Sequence, residues 1–182
     1  MALQSGMVPL GTPLPDASLP DLEGGVVDLR QYAAGHPLLV VFACNHCPYV
    51  RWVEQDLGAV VAAAPELRAV AINPNDADEY PEDSPDAMRE QRDRAGWAFP
   101  YLVDAEQDVA RAFGAVCTPD FFLYDTDGVL VYRGAFDGST PKNGQPRTGE
   151  LLSGAIRDVL AGRAVPEPHR PSMGCSIKWR QS

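Results

Sequence analysis

The sequence predicts a single α/β domain in which a central mixed sheet is flanked by helices. Buried-strand patterns at 38–43 and 67–72 enclose a helical pattern over 48–64, and such β-α-β units form parallel strand pairs. The segments FFLYD and VLVYRG are separated by the short turn TDG, which indicates an antiparallel pair. A chain of 182 residues, 45% of them hydrophobic, is long enough for one domain with a substantial core.

The N-terminal part predicts an extended arm and then a hairpin. Prolines at 9, 13 and 15 disfavour a helix within residues 1–15. We expect the domain to span residues 16–162 and to open with two short strands around Gly24-Gly25, an N-terminal β-hairpin.

The middle of the chain is acidic. Residues 73–93 hold eight acids and two arginines, and they predict a loop that becomes a helix near Ser84, with Pro85 at its first position. We interpret the acids as a solvated surface, because they lack the regular spacing of a cation-binding loop.

The C-terminal part predicts a last helix and a proline-rich extension. Thr148 is the expected N-cap of the helix. Residues 163–182 carry four Lys or Arg and one Glu, a charge of +3, whereas the remainder carries −13. This tail either folds back on the acidic body or stays loose.

Composition excludes several classes of function. The net charge of −10 argues against nucleic-acid binding, and the apolar runs are far shorter than the ~20 residues that cross a bilayer, so we expect no membrane span. The first residues do not resemble a secretory signal, and four cysteines are too few for disulfides to stabilise a chain of this length. We therefore predict a cytoplasmic protein. The cysteines therefore need a chemical explanation.

The motif Cys44-Asn45-His46-Cys47 falls at the junction between a buried strand and a helix. Cysteines three apart at a helix start lie on one face, close enough to bridge, and the helix dipole stabilises a thiolate there. We expect Cys44 to be the attacking thiol and Cys47, one turn into the helix, to resolve the mixed disulfide.

The other candidate ligands and bases leave alternatives open. His46 either stabilises the thiolate, which makes the disulfide more oxidising, or is merely exposed. A structural zinc site needs two further ligands, and Cys117, Cys175 and His169 are single and scattered, so redox chemistry is favoured over metal binding.

Four separated segments, CNHCPYV, CTPDFFLYD, VYRGAFD and GCSIKW, resemble bacterial redoxin-domain proteins of the AhpC-TSA, peroxiredoxin-like group that carry a thioredoxin-type C-x-x-C. The resemblance implies a thioredoxin-like fold from about residue 10 onward. It also implies a cis-proline loop against the active disulfide, where the backbone before the proline binds substrate. Thr118 and Pro119 match that position.

The same resemblance bears on peroxide chemistry. In peroxiredoxins the peroxidatic cysteine is often followed by proline, and Cys47-Pro48 matches that pair. A threonine or serine and an arginine help to hold peroxide in that family, but here Cys44 stands in the place of the hydroxyl residue and Pro119 lies near the place of the arginine. We therefore expect thiol-disulfide exchange rather than fast peroxide turnover. A thiol peroxidase that uses Cys47 is the enzyme alternative, and a metal-binding or copper-delivery module that uses Cys44, Cys47 and a histidine is the non-enzyme alternative.

Two further cysteines and two aromatic residues complete the candidates. Cys117 is either a small buried residue or a second redox group, and Cys175 either pairs with Cys117 or guards the site. Tyr49 and a partly exposed Trp52 are candidates for a docking rim. Altogether the sequence predicts a thiol-disulfide oxidoreductase that exchanges a Cys44–Cys47 disulfide with protein or low-molecular-weight disulfides and thiols. We expect it to need a reductant, as yet unidentified, and no bound cofactor.

Overall fold

The computed structural model describes residues 1–181. Its helices and strands, in chain order, are β1 (Ala2–Gln4), β2 (Ser18–Pro20), β3 (Val26–Asp28), α1 (Leu29–Ala33), β4 (Leu38–Phe42), α2 (Pro48–Ala62), β5 (Arg68–Asn73), α3 (Pro85–Ala95), β6 (Tyr101–Val103), α4 (Asp108–Phe113), β7 (Cys117–Thr118), β8 (Asp120–Tyr124), β9 (Leu130–Gly134), α5 (Glu150–Leu160) and β10 (Met173–Ser176).

The central sheet has five strands in the order β6-β5-β4-β8-β9. Strands β4, β5 and β6 are parallel, with Val40 opposite Val70. Strand β8 runs antiparallel to β4, and β9 runs antiparallel to β8. The predicted mixed sheet, including the parallel pair and the antiparallel FFLYD hairpin, is confirmed.

Helices cover both faces of the sheet, so its central strand β4 is buried at every position. Successive side chains of a strand point to opposite faces, so Leu39 and Val41 contact one core cluster while Val40 and Phe42 contact the other. Helices α2, α3 and α5 contribute buried residues to the first cluster, and α1 and α4 contribute to the second.

The local predictions are confirmed in most elements. Strands β2 and β3 form the N-terminal hairpin, and Ser84 caps α3 with Pro85 as its first residue. The start of the last helix is a correction, because α5 begins after Gly149 rather than after Thr148. The two residues before the helix are held by another side chain, since Asp137 Oδ2 accepts from the N–H groups of Thr148 (2.7 Å) and Gly149 (2.8 Å).

The C-terminal tail folds back on the body. Strand β10 lies between β1 and β7 in a small antiparallel sheet, so the N-terminal arm is also held in place. Beyond it Arg180 lies 3.6 Å from both Asp76 and Asp78, which agrees with attraction between the basic tail and the acidic segment. Of the two alternatives for the tail, the folded one is therefore correct.

Within residues 1–181, none of the helices has the length and apolar character needed to cross a membrane.

Candidate active site

The topology brings two loops together at one edge of the sheet. Because β4 and β5 are parallel, the segments that follow their carboxyl ends lie side by side. The first segment carries Cys44 to Cys47, and the second carries Asn75 and Asp83. The site is therefore assembled from residues about 40 positions apart in the chain.

Cys47 is the N-cap of α2, and Pro48 is the first residue of the helix. The expectation that Cys47 lies one turn inside the helix is wrong, and Cys44 lies three residues before this N-cap. Both side chains are completely buried. The helix N-terminus therefore acts on Cys47 and not on Cys44.

Hydrogen bonds decide which sulfur holds the negative charge. The thiols of Cys175 and Cys44 and the backbone N–H of Val50 all donate to Cys47, so its pKa lies well below that of an ordinary thiol although burial opposes this. Thr118 O lies 3.2 Å from Cys47 Sγ and accepts from the protonated form. The pKa of Cys44 is raised, because its thiol donates to Cys47 and is buried. The predicted assignment of the thiolate to Cys44 is thus corrected to Cys47.

His46 is paired with a buried carboxylate. Its Nδ1 lies 2.5 Å from Asp83 Oδ2, and this hydrogen bond raises the pKa of His46 against the effect of burial. The His46 side chain is 26% exposed and lies parallel to the ring of Tyr80, with 5.8 Å between the ring centres. His46 is therefore held in place and is not merely an exposed residue.

Asp83 is the site residue that sequence reasoning missed. Its side chain has no exposed surface, and Oδ1 accepts from the backbone N–H groups of Asn45 (2.8 Å) and His46 (3.1 Å). Asn75 donates to Oδ2 at 2.8 Å. Burial raises the pKa of Asp83, but the hydrogen bonds from His46 and Asn75 outweigh it, and the pKa is lowered. The interpretation of all acids in 73–93 as solvated is wrong for this residue.

A second set of polar side chains fixes the motif from the other side. Gln91 donates to Cys44 O (3.1 Å) and to Glu54 (3.3 Å), and Arg94 donates to Asn45 Oδ1 (2.9 Å) and to Glu54 (2.8 Å). Glu54 is buried in α2. These bonds tie the backbone of the motif to α2 and α3.

The segment before β8 lies against both cysteines. Thr118 Oγ1 is 3.4 Å from Cys44 Sγ, and the Thr118-Pro119 peptide bond is cis. Cys117 is buried, and burial raises its pKa. Of the two alternatives for Cys175, pairing with Cys117 does not fit, because Cys175 lies opposite Thr118 whereas Ser176 lies opposite Cys117, so the two cysteine side chains point to opposite faces of the small sheet.

Tyr49 and Trp52 lie beside the site and are partly exposed, as predicted for Trp52. They line a cavity of about 90 Å³ together with Pro119 and the loop after β9. Trp52 Nε1 donates to Ser139 at 2.8 Å, and Arg147 lies 4.9 Å above the ring. The cavity opens next to the Thr118-Pro119 segment, where a partner's side chain could enter.

Three potential metal ligands meet at the site. Ligand atoms of Cys44, His46 and Asp83 lie within 4.8 Å of one another. The metal-binding alternative assumed Cys44, Cys47 and a histidine, whereas the structure places Asp83 in the set. A thiolate, an imidazole and a carboxylate suit zinc or copper, although both carboxylate oxygens already accept protein hydrogen bonds.

Comparison with known proteins identifies the family. A model described as the AhpC/TSA family matches residues 10–133. The chain belongs to the AhpC/TSA family. Comparison with curated proteins gives no match.

Solved structures similar to this AhpC/TSA protein support the same relationship. An uncharacterized conserved protein from Geobacillus kaustophilus is 45% identical, with a TM-score of 0.96 over 100% of this chain and 98% of that one. A hypothetical protein from Sinorhizobium meliloti is 42% identical, with a TM-score of 0.94 over 98% and 99%.

A secreted disulfide oxidoreductase of Mycobacterium tuberculosis is 21% identical, with a TM-score of 0.62 over 78% of this chain and 95% of that one. A putative thiol:disulfide interchange protein from Chlorobium tepidum is also 21% identical, with a TM-score of 0.65 over 84% and 99%. At this identity the likeness shows the fold, which is thioredoxin-like as the sequence resemblance implied. Family and fold together support a thiol-disulfide redox function in general terms.

Proposed function

We propose that this AhpC/TSA protein is a thiol-disulfide oxidoreductase that cycles Cys44 and Cys47 between dithiol and disulfide. Its substrates are protein or low-molecular-weight disulfides, and a thiol reductant returns it to the dithiol form. The observation that carries the proposal is the placement of two buried thiols at the start of α2, with Cys47 at the N-cap, where the pKa of Cys47 is lowered and that of Cys44 is raised.

The exchange needs only the two sulfurs and the partner. The Cys47 thiolate attacks one sulfur of the partner disulfide, a mixed disulfide forms, and the first partner thiolate leaves. Cys44 then loses its proton and attacks Cys47 Sγ, which forms the Cys44–Cys47 disulfide and releases the second partner thiolate. The partner has gained two electrons and, after protonation, two protons.

The His46–Asp83 pair assists the second step. Its ligand atoms lie within 4.8 Å of Cys44 Sγ, which is beyond direct hydrogen-bond reach, so the proton that Cys44 must lose passes through one bridging water or to the departing partner thiolate. While Asp83 is ionised it also opposes negative charge on Cys44, which keeps the charge on Cys47 in the reduced protein.

The test is equilibration of the reduced protein with glutathione buffers of graded potential, followed by acid quench, alkylation and peptide mapping. We expect one two-electron transition that yields the Cys44–Cys47 disulfide, with Cys117→Ala behaving as the wild type. Cys44→Ser should accumulate disulfides of Cys47, and Cys47→Ser should stop the transition. Absence of a Cys44–Cys47 disulfide at every potential would overturn the proposal.

A thiol peroxidase is the second candidate, because the same Cys47 thiolate is the group that would attack peroxide. Oxidation would give a sulfenic acid at Cys47, which Cys44 would resolve with loss of water. Reduced protein mixed with near-stoichiometric hydrogen peroxide and quenched over time by alkylation separates the candidates. Rapid sulfenic acid formation at Cys47 supports the peroxidase, and slow oxidation that ends in the Cys44–Cys47 disulfide supports the exchanger.

A further inference from the structure

Cys175 has no part in the exchange described so far, yet it differs from the other cysteines in access. Within residues 1–181, Cys44, Cys47 and Cys117 are buried, and Cys175 is partly exposed. A partner's sulfur therefore cannot reach Cys47 in this conformation, whereas Cys175 lies at the boundary between the reactive pair and solvent.

Strand β10 places Cys175 directly at the reactive pair. It pairs antiparallel with β7, with Cys175 opposite Thr118, the residue that also contacts Cys44 and Cys47. The strands approach so closely that a Cβ on Gly174 would lie 1.9 Å from Thr118 O. Only glycine fits at that position, so the residue next to Cys175 is adapted to this approach.

The contact between Cys175 and Cys47 involves both side chain and backbone. Cys175 lies directly opposite Thr118, so its side chain points to the same face as the Thr118 side chain that contacts Cys44, and it packs against the cluster that contains both cysteines. Hydrogen bonding from the Cys175 thiol and N–H is among the causes of the lowered pKa of Cys47. The pKa of Cys175 is raised by this neighbour and by burial, whereas Cys47 stays ionised and is ready to attack the Cys175 sulfur once Cys175 is bonded to a partner.

We infer that Cys175 is a third redox cysteine, which links external thiols and disulfides to the buried Cys44–Cys47 pair through a Cys47–Cys175 disulfide. This inference rests on the proposed exchange function and replaces direct attack by Cys47 with a relay through the C-terminal strand.

The relay balances in electrons and protons. Cys175 loses its proton to water as it attacks the partner disulfide, and the first partner thiolate leaves and takes a proton from water. The Cys47 thiolate attacks Cys175 Sγ and releases the second partner thiolate, which takes the proton of Cys44. Cys44 then attacks Cys47 Sγ, and the Cys44–Cys47 disulfide forms as Cys175 leaves and is protonated by water. Two electrons reach the partner, and Cys175 is regenerated.

The first experiment traps the intermediate. Cys44→Ser, oxidised with one equivalent of oxidised glutathione, should form an intramolecular Cys47–Cys175 disulfide, which non-reducing peptide mapping detects. Once glutathione is bound, the rate of this closure should not depend on protein concentration. A stable glutathione adduct on Cys47 with Cys175 free would overturn the relay.

The second experiment measures the route in the complete motif. In Cys175→Ser the Cys44–Cys47 disulfide should still form at equilibrium with oxidised glutathione, but about tenfold or more slowly than in the wild type, while Cys117→Ala keeps the wild-type rate. Urea unfolding of each variant shows that the fold is intact.

An unchanged or faster rate in Cys175→Ser would mean that the strand only covers Cys47, and the relay would be wrong. Failure of the proposed function is distinguishable, because then no Cys44–Cys47 disulfide forms in the wild type at any potential. The trapped Cys47–Cys175 disulfide of Cys44→Ser does not depend on that result.

Discussion

Replacing Asp83 with asparagine should strongly destabilise the protein and should do so in a pH-dependent manner. The carboxylate accepts four hydrogen bonds, from two backbone N–H groups, the His46 ring and the Asn75 amide. An asparagine keeps one acceptor oxygen and turns an NH₂ group toward His46 and Asn75, which are themselves donors there. Buried donors then face each other without a partner.

The size of the effect follows from burial and exposure. Breaking a buried ion pair by removing one partner costs about 3–5 kcal/mol when both groups are buried. Here the Asp83 side chain is fully buried but His46 is 26% exposed, so solvent screens part of the loss. We expect the free energy of unfolding to fall by about 3 kcal/mol, a large part of the ~5–15 kcal/mol typical of a domain.

The sign of the pH dependence follows from the two pKa shifts. The pKa of His46 is raised, so its contribution is fully present below about pH 6.5 and is lost as the pH rises through the raised value. The pKa of Asp83 is lowered, so its contribution is present above about pH 4 and is lost as the pH falls through the lowered value. The difference between wild type and Asp83→Asn should therefore be larger near pH 5.5 than near pH 9.

Urea unfolding of the reduced protein at both pH values is the assay. Asp86→Asn is the matched control, because Asp86 is 93% exposed and its ion pair with Arg89 lies on the surface of α3. It should change the free energy of unfolding by about 0.5 kcal/mol or less. An effect of Asp83→Asn as small as that of the control, or one that grows as the pH rises above 6.5, would refute this account of the pair.

Three further predictions concern the strand, the last helix and the cavity. Gly174→Ala should lower the free energy of unfolding by about 2 kcal/mol in a urea titration, because its Cβ would lie 1.9 Å from Thr118 O. The control is Gly154→Ala in α5, where a Cβ has no neighbour within 4 Å. It should be neutral or stabilising by up to ~1 kcal/mol in the same titration. Asp137→Asn should lower the free energy of unfolding, measured in urea, by about 1–2 kcal/mol, because the Asp137 carboxylate accepts hydrogen bonds from the two N–H groups just before α5. A decrease of less than about 0.3 kcal/mol would contradict that role. Trp52→Ala should slow the reduction of a protein disulfide but not of oxidised glutathione, and equal rates on both substrates would argue against docking at the cavity.

The sequence predicts the sheet because its strands are encoded by local patterns. The run from Leu38 to Phe42 is apolar at every position and is buried at every position. The β8–β9 hairpin is set by a turn of a few residues between apolar runs. Short-range signals of this kind do not depend on the rest of the fold, so they can be identified from a single sequence.

The thiolate assignment failed because it depends on a helix boundary. A helix that began at Cys44 would direct its N–H groups at that sulfur, but α2 begins at Pro48, so Cys47 is the N-cap. Proline is favoured at the first position of a helix, and this preference indicates a helix that begins at Pro48. A shift of one turn moved the negative charge from one cysteine to the other.

Asp83 could have been suspected from topology but not from spacing. Its segment follows β5, which is parallel to β4, and the carboxyl ends of adjacent parallel strands share an edge. Nothing in the local pattern distinguishes Asp83 from the seven other acids of residues 73–93. The pairing of β10 with β7 was equally hidden, because contacts between distant segments leave no local periodicity.

Strand β10 bears on access to the buried reactive pair, because it pairs with the Thr118 segment that contacts both cysteines. Cys44 and Cys47 are fully buried, and Cys175 is held against them by the pairing with Thr118. A partner therefore reaches the pair either through Cys175 or after β10 has moved away. Gly174→Ala separates these routes, because it weakens the strand without removing a sulfur. If the relay operates, oxidation by glutathione slows as Cys175 is displaced from Cys47, and if the strand is only a cover, the same variant is oxidised faster than the wild type.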